Sequence, residues 1–160
     1  MTEAHAGLFD NQREVNLAST ITMIEDVLIE LGHYVNDCRD DRDDSIRAWR
    51  VRKGSATVRI ALLDRDDFTH VRVASAVMTV DDKVDRGALF GHILALNTGL
   101  CGAAFAARGD TVLIVTERST LDLDRSEVLE LIQRITSYAD DHDDALVARF
   151  GGSVGGDLPA

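Results

Sequence analysis

The stretch IRAWRVRKGSATVRIALLDRDDFTHVRVASAVMTV, residues 46–80, decides the fold of this chain. Residues 53–55 and 64–67 have the composition of tight turns, rich in glycine, serine and aspartate. Between the turns, apolar and polar side chains alternate along three runs: Ile46 to Arg52, Ala56 to Leu63 and Phe68 to Val80. Short connections between alternating runs predict three antiparallel strands whose sheet is solvated on one face.

Helical periodicity is found on both sides of these strands. Before them, apolar residues recur at steps of four and three, which places them on one face of a first helix: Leu17, Ile21, Ile24, Leu28 and Leu31. Gly32 predicts where this helix ends. After the strands, Asp85 is a candidate N-cap for a second helix from about Arg86 to Asn97.

A hairpin and a last helix complete the predicted fold. The small residues 103–107, a turn at residues 108–110 and the apolar run from Thr111 to Glu117 predict two further strands. Asp124 and Glu127 have the spacing of a capping box, and the helix that they begin would end at Gly151. The predicted order is α-β-β-β-α-β-β-α, an α+β fold with an antiparallel sheet packed by helices, forming a single domain over residues 14–150 with flexible tails at 1–13 and 151–160.

The composition disfavours several classes of function. The chain has 160 residues and a formal net charge of −11, which disfavours nucleic-acid binding because phosphates would be repelled. No apolar run is long enough to cross a bilayer, and residues 1–11 lack the apolar segment of a signal peptide. We therefore expect a cytoplasmic protein without membrane contact, in which Cys38 and Cys101 are free, partly buried thiols.

Three motifs resemble the YbjN family, within the type III secretion chaperone-like fold. A leucine-rich helix ends in Leu96-Asn97 and precedes a small-residue strand, a leucine–acid stretch occupies residues 121–124, and an Ala139-Asp140 pair precedes a last apolar turn. The resemblance covers roughly residues 14–150. It implies a small, acidic, dimeric, cytosolic protein that holds an extended segment of another protein. The many arginines of the first sheet depart from a wholly apolar client groove.

Catalytic and metal-binding patterns are not apparent in the sequence. The five histidines lack the i, i+4 spacing of a zinc site, and the acidic runs lack the alternation and glycine of a calcium loop, so they are expected to be solvated loops. No nucleophile has an adjacent base, and no phosphate-binding loop occurs. We expect a non-enzymatic protein without a metal or other cofactor.

The first sheet concentrates arginines in an otherwise acidic chain. Strand alternation allows four of them to share the outer face: Arg50, Arg52, Arg59 and Arg72. Pairing with the acidic loops is one interpretation, and such exposed pairs contribute little to stability. The other is a site for an anion or an acidic peptide, because guanidinium groups bind carboxylate and phosphate.

The apolar excess of the helices indicates protein contacts. The second helix is apolar around much of its circumference, so it is either a buried core helix or a homodimer seam formed by Leu89, Phe90, Ile93 and Leu94. Ile24, Leu28 and Leu31 of the first helix, with the exposed sheet, are the candidate surfaces for a protein or peptide partner. The sequence thus predicts a chaperone-like or regulatory homodimer. The alternative is a sensor that binds an anionic small ligand through the arginine face.

Overall fold

The computed structural model describes residues 3–42, 45–65, 68–156 and 158, with side chains from residue 13 onward. The helices are α1 (Glu3–Glu30), α2 (Val35–Cys38), α3 (Arg86–Leu96) and α4 (Arg125–Phe150). The strands are β1 (Arg47–Lys53), β2 (Ala56–Arg65), β3 (Phe68–Thr79), β4 (Ala104–Arg108), β5 (Thr111–Ser119) and β6 (Ser153–Val154). The predicted α+β order is confirmed, with the single turn α2 and the short strand β6 as additions.

The strands form one antiparallel sheet in the order β1-β2-β3-β5-β4, and β6 pairs with the end of β3. The register places Ile60 of β2 beside Val73 of β3, and Val73 beside Thr116 of β5. A bulge in β3 between Ala76 and Met78 shifts its pairing with β5. Alternation along the strands therefore gives this sheet an inner and an outer face.

The core lies between the inner face and the helices. α4 presents an apolar stripe that includes Val128, Ile132 and Ile135 to strands β2, β3 and β5. α1 packs beside α4, and Glu25 of α1 accepts a hydrogen bond from the indole Nε1 of Trp49 at 3.4 Å. Trp49 has no exposed surface. One face of the sheet is thus covered, and the other remains for contacts outside the core.

Capping residues begin the later helices as the sequence predicts. Asp85 accepts the backbone N–H of Ala88 at 3.0 Å, and Asp124 with Glu127 forms the full capping box of α4. α4 continues without a break through residues 140–144, an acidic run that was expected to be a solvated loop. Asp143 there is buried and accepts a hydrogen bond from the Ser55 hydroxyl at 2.9 Å, which anchors the middle of α4 to the β1–β2 turn.

Regular structure occurs within both stretches predicted as flexible tails, residues 1–13 and 151–160, of which residues 1–2, 157 and 159–160 lie outside the described residues. α1 begins at Glu3, because extending a nucleated helix costs far less than starting one. At the other end, Gly151 and Gly152 have φ values of 86° and 82°, which turn the chain back along β3. The N–H of Gly155 then donates to the carbonyl of Val77 at 2.8 Å.

Candidate partner-binding surface

The outer face of the sheet carries small side chains outside the main core. Ala48, Ala61, Ala74 and Ala76 are buried, yet they alternate with the strand residues that form the core cluster. Strand register aligns Arg59 of β2, Ala74 of β3 and Val115 of β5 across this face. This face therefore carries arginines on β2 and apolar side chains on β3 and β5.

An open concavity of about 780 Å³ lies on this outer face, and we call it the outer groove. Its floor is made of small and branched apolar side chains: Ala61, Leu63, Ala74, Ala106, Leu113 and Val115. Arginines from four segments form its rim: Arg42, Arg59, Arg65, Arg72 and Arg108. An apolar floor with a cationic rim can hold an extended polypeptide, whose side chains alternate between the floor and solvent.

Asp40 lies at the centre of the first arginine cluster. Its carboxylate is 5% exposed, and it accepts hydrogen bonds from Arg42 at 2.8 Å, Arg59 at 2.9 Å and Arg50 at 3.3 Å. Burial opposes its ionisation, but the hydrogen bonds and charges of Arg42 and Arg59 outweigh burial and hold the pKa of Asp40 below its ordinary value. The cluster fastens the α2–β1 connection to the outer face.

Glu117 of β5 organises the second cluster across three strands. It accepts a hydrogen bond from Arg65 of β2 at 2.9 Å and another from Arg72 of β3 at 2.7 Å. Burial raises the pKa of Glu117, yet the two guanidinium groups lower it by more, so the pKa lies below its ordinary value. These residues crosslink the sheet beside the outer groove.

Three of the four arginines predicted as an anion site are thus bound to acids of the chain itself. Arg50 and Arg59 contact Asp40, and Arg72 contacts Glu117, whereas Arg52 lies exposed near the end of β1. The structure does not bring all four together around one cavity. The arrangement favours the pairing interpretation, and the anion-sensor alternative gains no support from it.

The residues predicted on α1 as a partner surface lie mostly in the interior. Ile24 and Leu28 have no exposed surface, and Leu31 is half-buried, because this stripe faces the core. Solvent instead reaches Ile29 and Tyr34, which are 60% and 82% exposed. Periodicity identified the apolar stripe of α1 correctly, but it could not indicate that the chain's own core covers this stripe.

α3 divides the predicted dimer seam between the core and solvent. Leu89 and Ile93 are buried, Phe90 is half-buried, and Leu94 is 66% exposed. Gly87, Gly91 and Ala95 are exposed one turn apart on the same helix. A Cβ atom added at Gly91 would meet no atom within 4 Å, so another helix can approach this side closely.

Polar groups cover the middle of both outer strands of the sheet. Asn97 bonds the backbone of Phe105 in β4 twice: it accepts the N–H at 2.7 Å and donates to the C=O at 3.3 Å. At the opposite edge, the N–H of Asp40 donates to the carbonyl of Ala48 in β1 at 3.0 Å. These contacts restrict strand addition at both edges and favour the outer groove as the place for a segment.

Other chemistry has little support among the described residues. No group of three or more histidines, cysteines or carboxylates within residues 3–42, 45–65, 68–156 and 158 is placed to hold a metal ion. Within the same ranges, no helix combines the length and apolarity needed to cross a bilayer. Cys38 is buried and Cys101 exposed, both as free thiols, and burial raises the pKa of Cys38.

Comparison with known protein families gives a match over most of the chain. Residues 18–156 match the family described as TY-Chap1, the T3SS (YopN, CesT) and YbjN peptide-binding chaperone 1 family. The chain belongs to this family. The match extends to residue 156 and so includes β6 in the TY-Chap1 domain. The predicted resemblance is thereby confirmed.

Solved structures show the same fold at low sequence identity. The ExsC–ExsE complex contains a chain with a TM-score of 0.58 and 10% identity, covering 81% of this chain and 94% of that one. The HopA1–SchA chaperone–effector complex gives a TM-score of 0.53 and 11% identity, covering 82% and 97%. Curated protein sequences give no match. These neighbours show the fold, and TY-Chap1 membership shows the class of peptide-binding chaperones.

Proposed function

We propose that this chain is a non-enzymatic chaperone of the TY-Chap1 family that binds an extended segment of a partner protein in the outer groove. It would act as a homodimer, and its cytoplasmic location stays a prediction. The observation that carries the proposal is the outer groove itself, an apolar floor of about 780 Å³ on the face of the sheet that the helices leave uncovered.

The chemistry of the groove suits a polypeptide more than a small anion. Val115 and Leu113 of β5 give the floor apolar surface, while Arg65 and Arg72 are bound to Glu117. Burying apolar surface yields roughly 25 cal/mol per Å², so several side chains together can bind a segment without a dominant ion pair. The cationic rim would then orient a segment and not supply most of its affinity.

The proposal is tested by replacing one floor residue and measuring how much partner protein the variant captures. Leu113→Glu places a charge on the floor, where a bound apolar segment would have to desolvate it. The protein carrying this change should bind the partner about tenfold more weakly, a loss of roughly 1.4 kcal/mol in binding free energy. The readout is affinity purification with quantitative mass spectrometry, followed by calorimetry with the synthetic partner segment.

Leu121→Glu is the matched control, because Leu121 is 55% exposed and does not line the groove. It should capture the partner as the natural sequence does. Equal capture by all three proteins would refute binding in the outer groove. Circular dichroism of each protein separates a binding defect from an unfolded sheet.

The homodimer proposal rests on α3. The exposed side of this helix carries Leu94 among Gly87, Gly91 and Ala95, which permits close packing of two such helices. Leu94→Asp should reduce the mass in light scattering from twice 17.5 kDa to 17.5 kDa. Leu121→Asp serves as control and should leave the mass doubled. A mass unaffected by Leu94→Asp contradicts this seam.

A further inference from the structure

The C-terminal segment returns to the sheet after α4. Ser153 and Val154 pair with Thr79 and Met78 of β3, beyond the point where β2 pairs with β3. The hydroxyl of Thr79 donates to the carbonyl of Gly155 at 3.0 Å, which adds a side-chain bond to the backbone pairing. The segment is therefore held on one side of the β3 end.

Two glycines allow this close approach. A Cβ atom at Gly152 would lie 2.4 Å from the carbonyl oxygen of Thr79, and one at Gly156 would lie 2.5 Å from the Thr79 hydroxyl. Their φ values are 82° and 138°, which side chains other than glycine rarely adopt. The turn thus depends on glycine for both space and backbone conformation.

The segment then reaches the outer groove. Leu158 is half-buried and lines the same concavity as Ala74, Leu113 and Val115. The chain's own Leu158 thus borders the groove that the proposed function assigns to a partner. Leu158 lies two residues beyond residue 156, where the match to the family ends.

We propose that the C-terminal segment, described at residues 151–156 and 158, is a built-in occupant of the outer groove, which a partner segment must displace. The regulatory part of this proposal rests on the proposed function, whereas the contact of Leu158 with the groove stands by itself. A tethered segment has an effective concentration on the order of millimolar, so an affinity with a Kd below about 1 mM keeps the groove mostly occupied. The contact would exclude weak partners and let a longer apolar segment compete.

Methyl NMR on the full-length chain tests the contact. Leucine and valine methyl labelling should show nuclear Overhauser effects between Leu158 and both Leu113 and Val115. Leu158→Ser should shift the Leu113 and Val115 methyl signals, while the control Leu121→Ser should not. Random-coil shifts for Leu158, or Leu113 and Val115 methyl signals that are unchanged by Leu158→Ser, would overturn the proposal.

A synthetic peptide with the sequence of residues 151–160 tests displacement. Because the tether supplies about millimolar concentration, the free peptide must bind the Leu158→Ser chain with a Kd of roughly 0.3 mM or less and restore the natural floor shifts. The natural chain, already occupied, should respond at least several-fold less. Absence of binding to the variant overturns the proposal.

Mixed labelling identifies the molecule that supplies the tail. Overhauser effects between differently labelled chains would assign the occupant to a second copy and refute the intramolecular contact. The outcome of the Leu113→Glu capture experiment does not depend on these NMR results. If Leu158 contacts the floor but Leu113→Glu captures the partner as well as the natural chain does, only the proposed function is refuted.

Discussion

At the scale of single residues, Asp40 decides how the outer face is held. The sequence predicted its acidic run as a solvated loop, yet the carboxylate is buried among Arg42, Arg50 and Arg59. The sequence could not show this, because Asp40 and Arg59 are 19 positions apart and only strand pairing brings them together. Alternation did place Arg50 and Arg59 on one face, which was the available signal.

Asp40 should make stability depend on pH. Its pKa and that of Glu117 lie below their ordinary values in the folded chain, so their stabilisation is complete above the unfolded pKa values of about 4. It is lost as pH falls through the lower folded values, because the unfolded chain takes up protons first. The free energy of unfolding should therefore decrease as the pH is lowered below about 4.

Asp40→Asn tests this dependence. The variant should lose about 3 kcal/mol at pH 7, since three arginines lose their buried counter-charge, and its stability should change less between pH 5 and 2. Urea unfolding followed by the fluorescence of the buried Trp49 measures both quantities. Asp64→Asn, at an exposed carboxylate, is the control and should cost less than about 1 kcal/mol. Equal pH slopes for Asp40→Asn and the natural chain would contradict this role.

At the scale of elements, the sequence predicted what local patterns determine. Alternation gave the strands from β1 to β3, and a small-residue run, a turn and an apolar run gave the hairpin of β4 and β5. Caps at Asp85 and Asp124 gave the starts of α3 and α4. α2 and β6 were missed, since one helical turn and a two-residue strand are too short for a period to be recognised. Their positions depend on long-range contacts with the sheet.

Asn97 shows how one element protects another. It follows α3 and satisfies both the N–H and the C=O of Phe105 at the edge of β4. Asn97→Ala should destabilise the chain by about 1 to 3 kcal/mol, because both backbone groups lose their partner in a half-buried place. Urea unfolding measures the loss.

Thr98→Ala is a neighbouring control for Asn97. Its hydroxyl donates to Ala95 within the exposed end of α3, so the change should cost less than about 1 kcal/mol. An Asn97→Ala variant as stable as the Thr98→Ala variant would show that the edge of β4 needs no such cover.

At the scale of the whole molecule, the site was harder to predict than the fold. The sequence predicted that one face of the sheet lies outside the helix-covered core, and its role as a contact surface stays a prediction. Buried residues such as Ile24 and Leu89 could not be told from exposed ones by sequence. Their burial depends on how closely α1, α3 and α4 pack on one face of the sheet. Hydrophobic excess alone therefore does not distinguish a core from an interface.

The C-terminal segment offers a last prediction about how the molecule unfolds. Gly152→Ala forces a left-handed backbone on alanine, costing roughly 1 to 2 kcal/mol, and drives its Cβ against the Thr79 carbonyl. Hydrogen exchange should show at least tenfold less protection of the Gly155 amide, since its bond to Val77 depends on this turn.

The amides of central β2 and β3 should keep their protection, because their pairing does not involve β6. Gly32→Ala, at another left-handed position far along the chain, should leave Gly155 unchanged. Loss of protection throughout the sheet in Gly152→Ala would instead mean that β6 belongs to the cooperative core, and that a partner could not displace the tail without unfolding the domain.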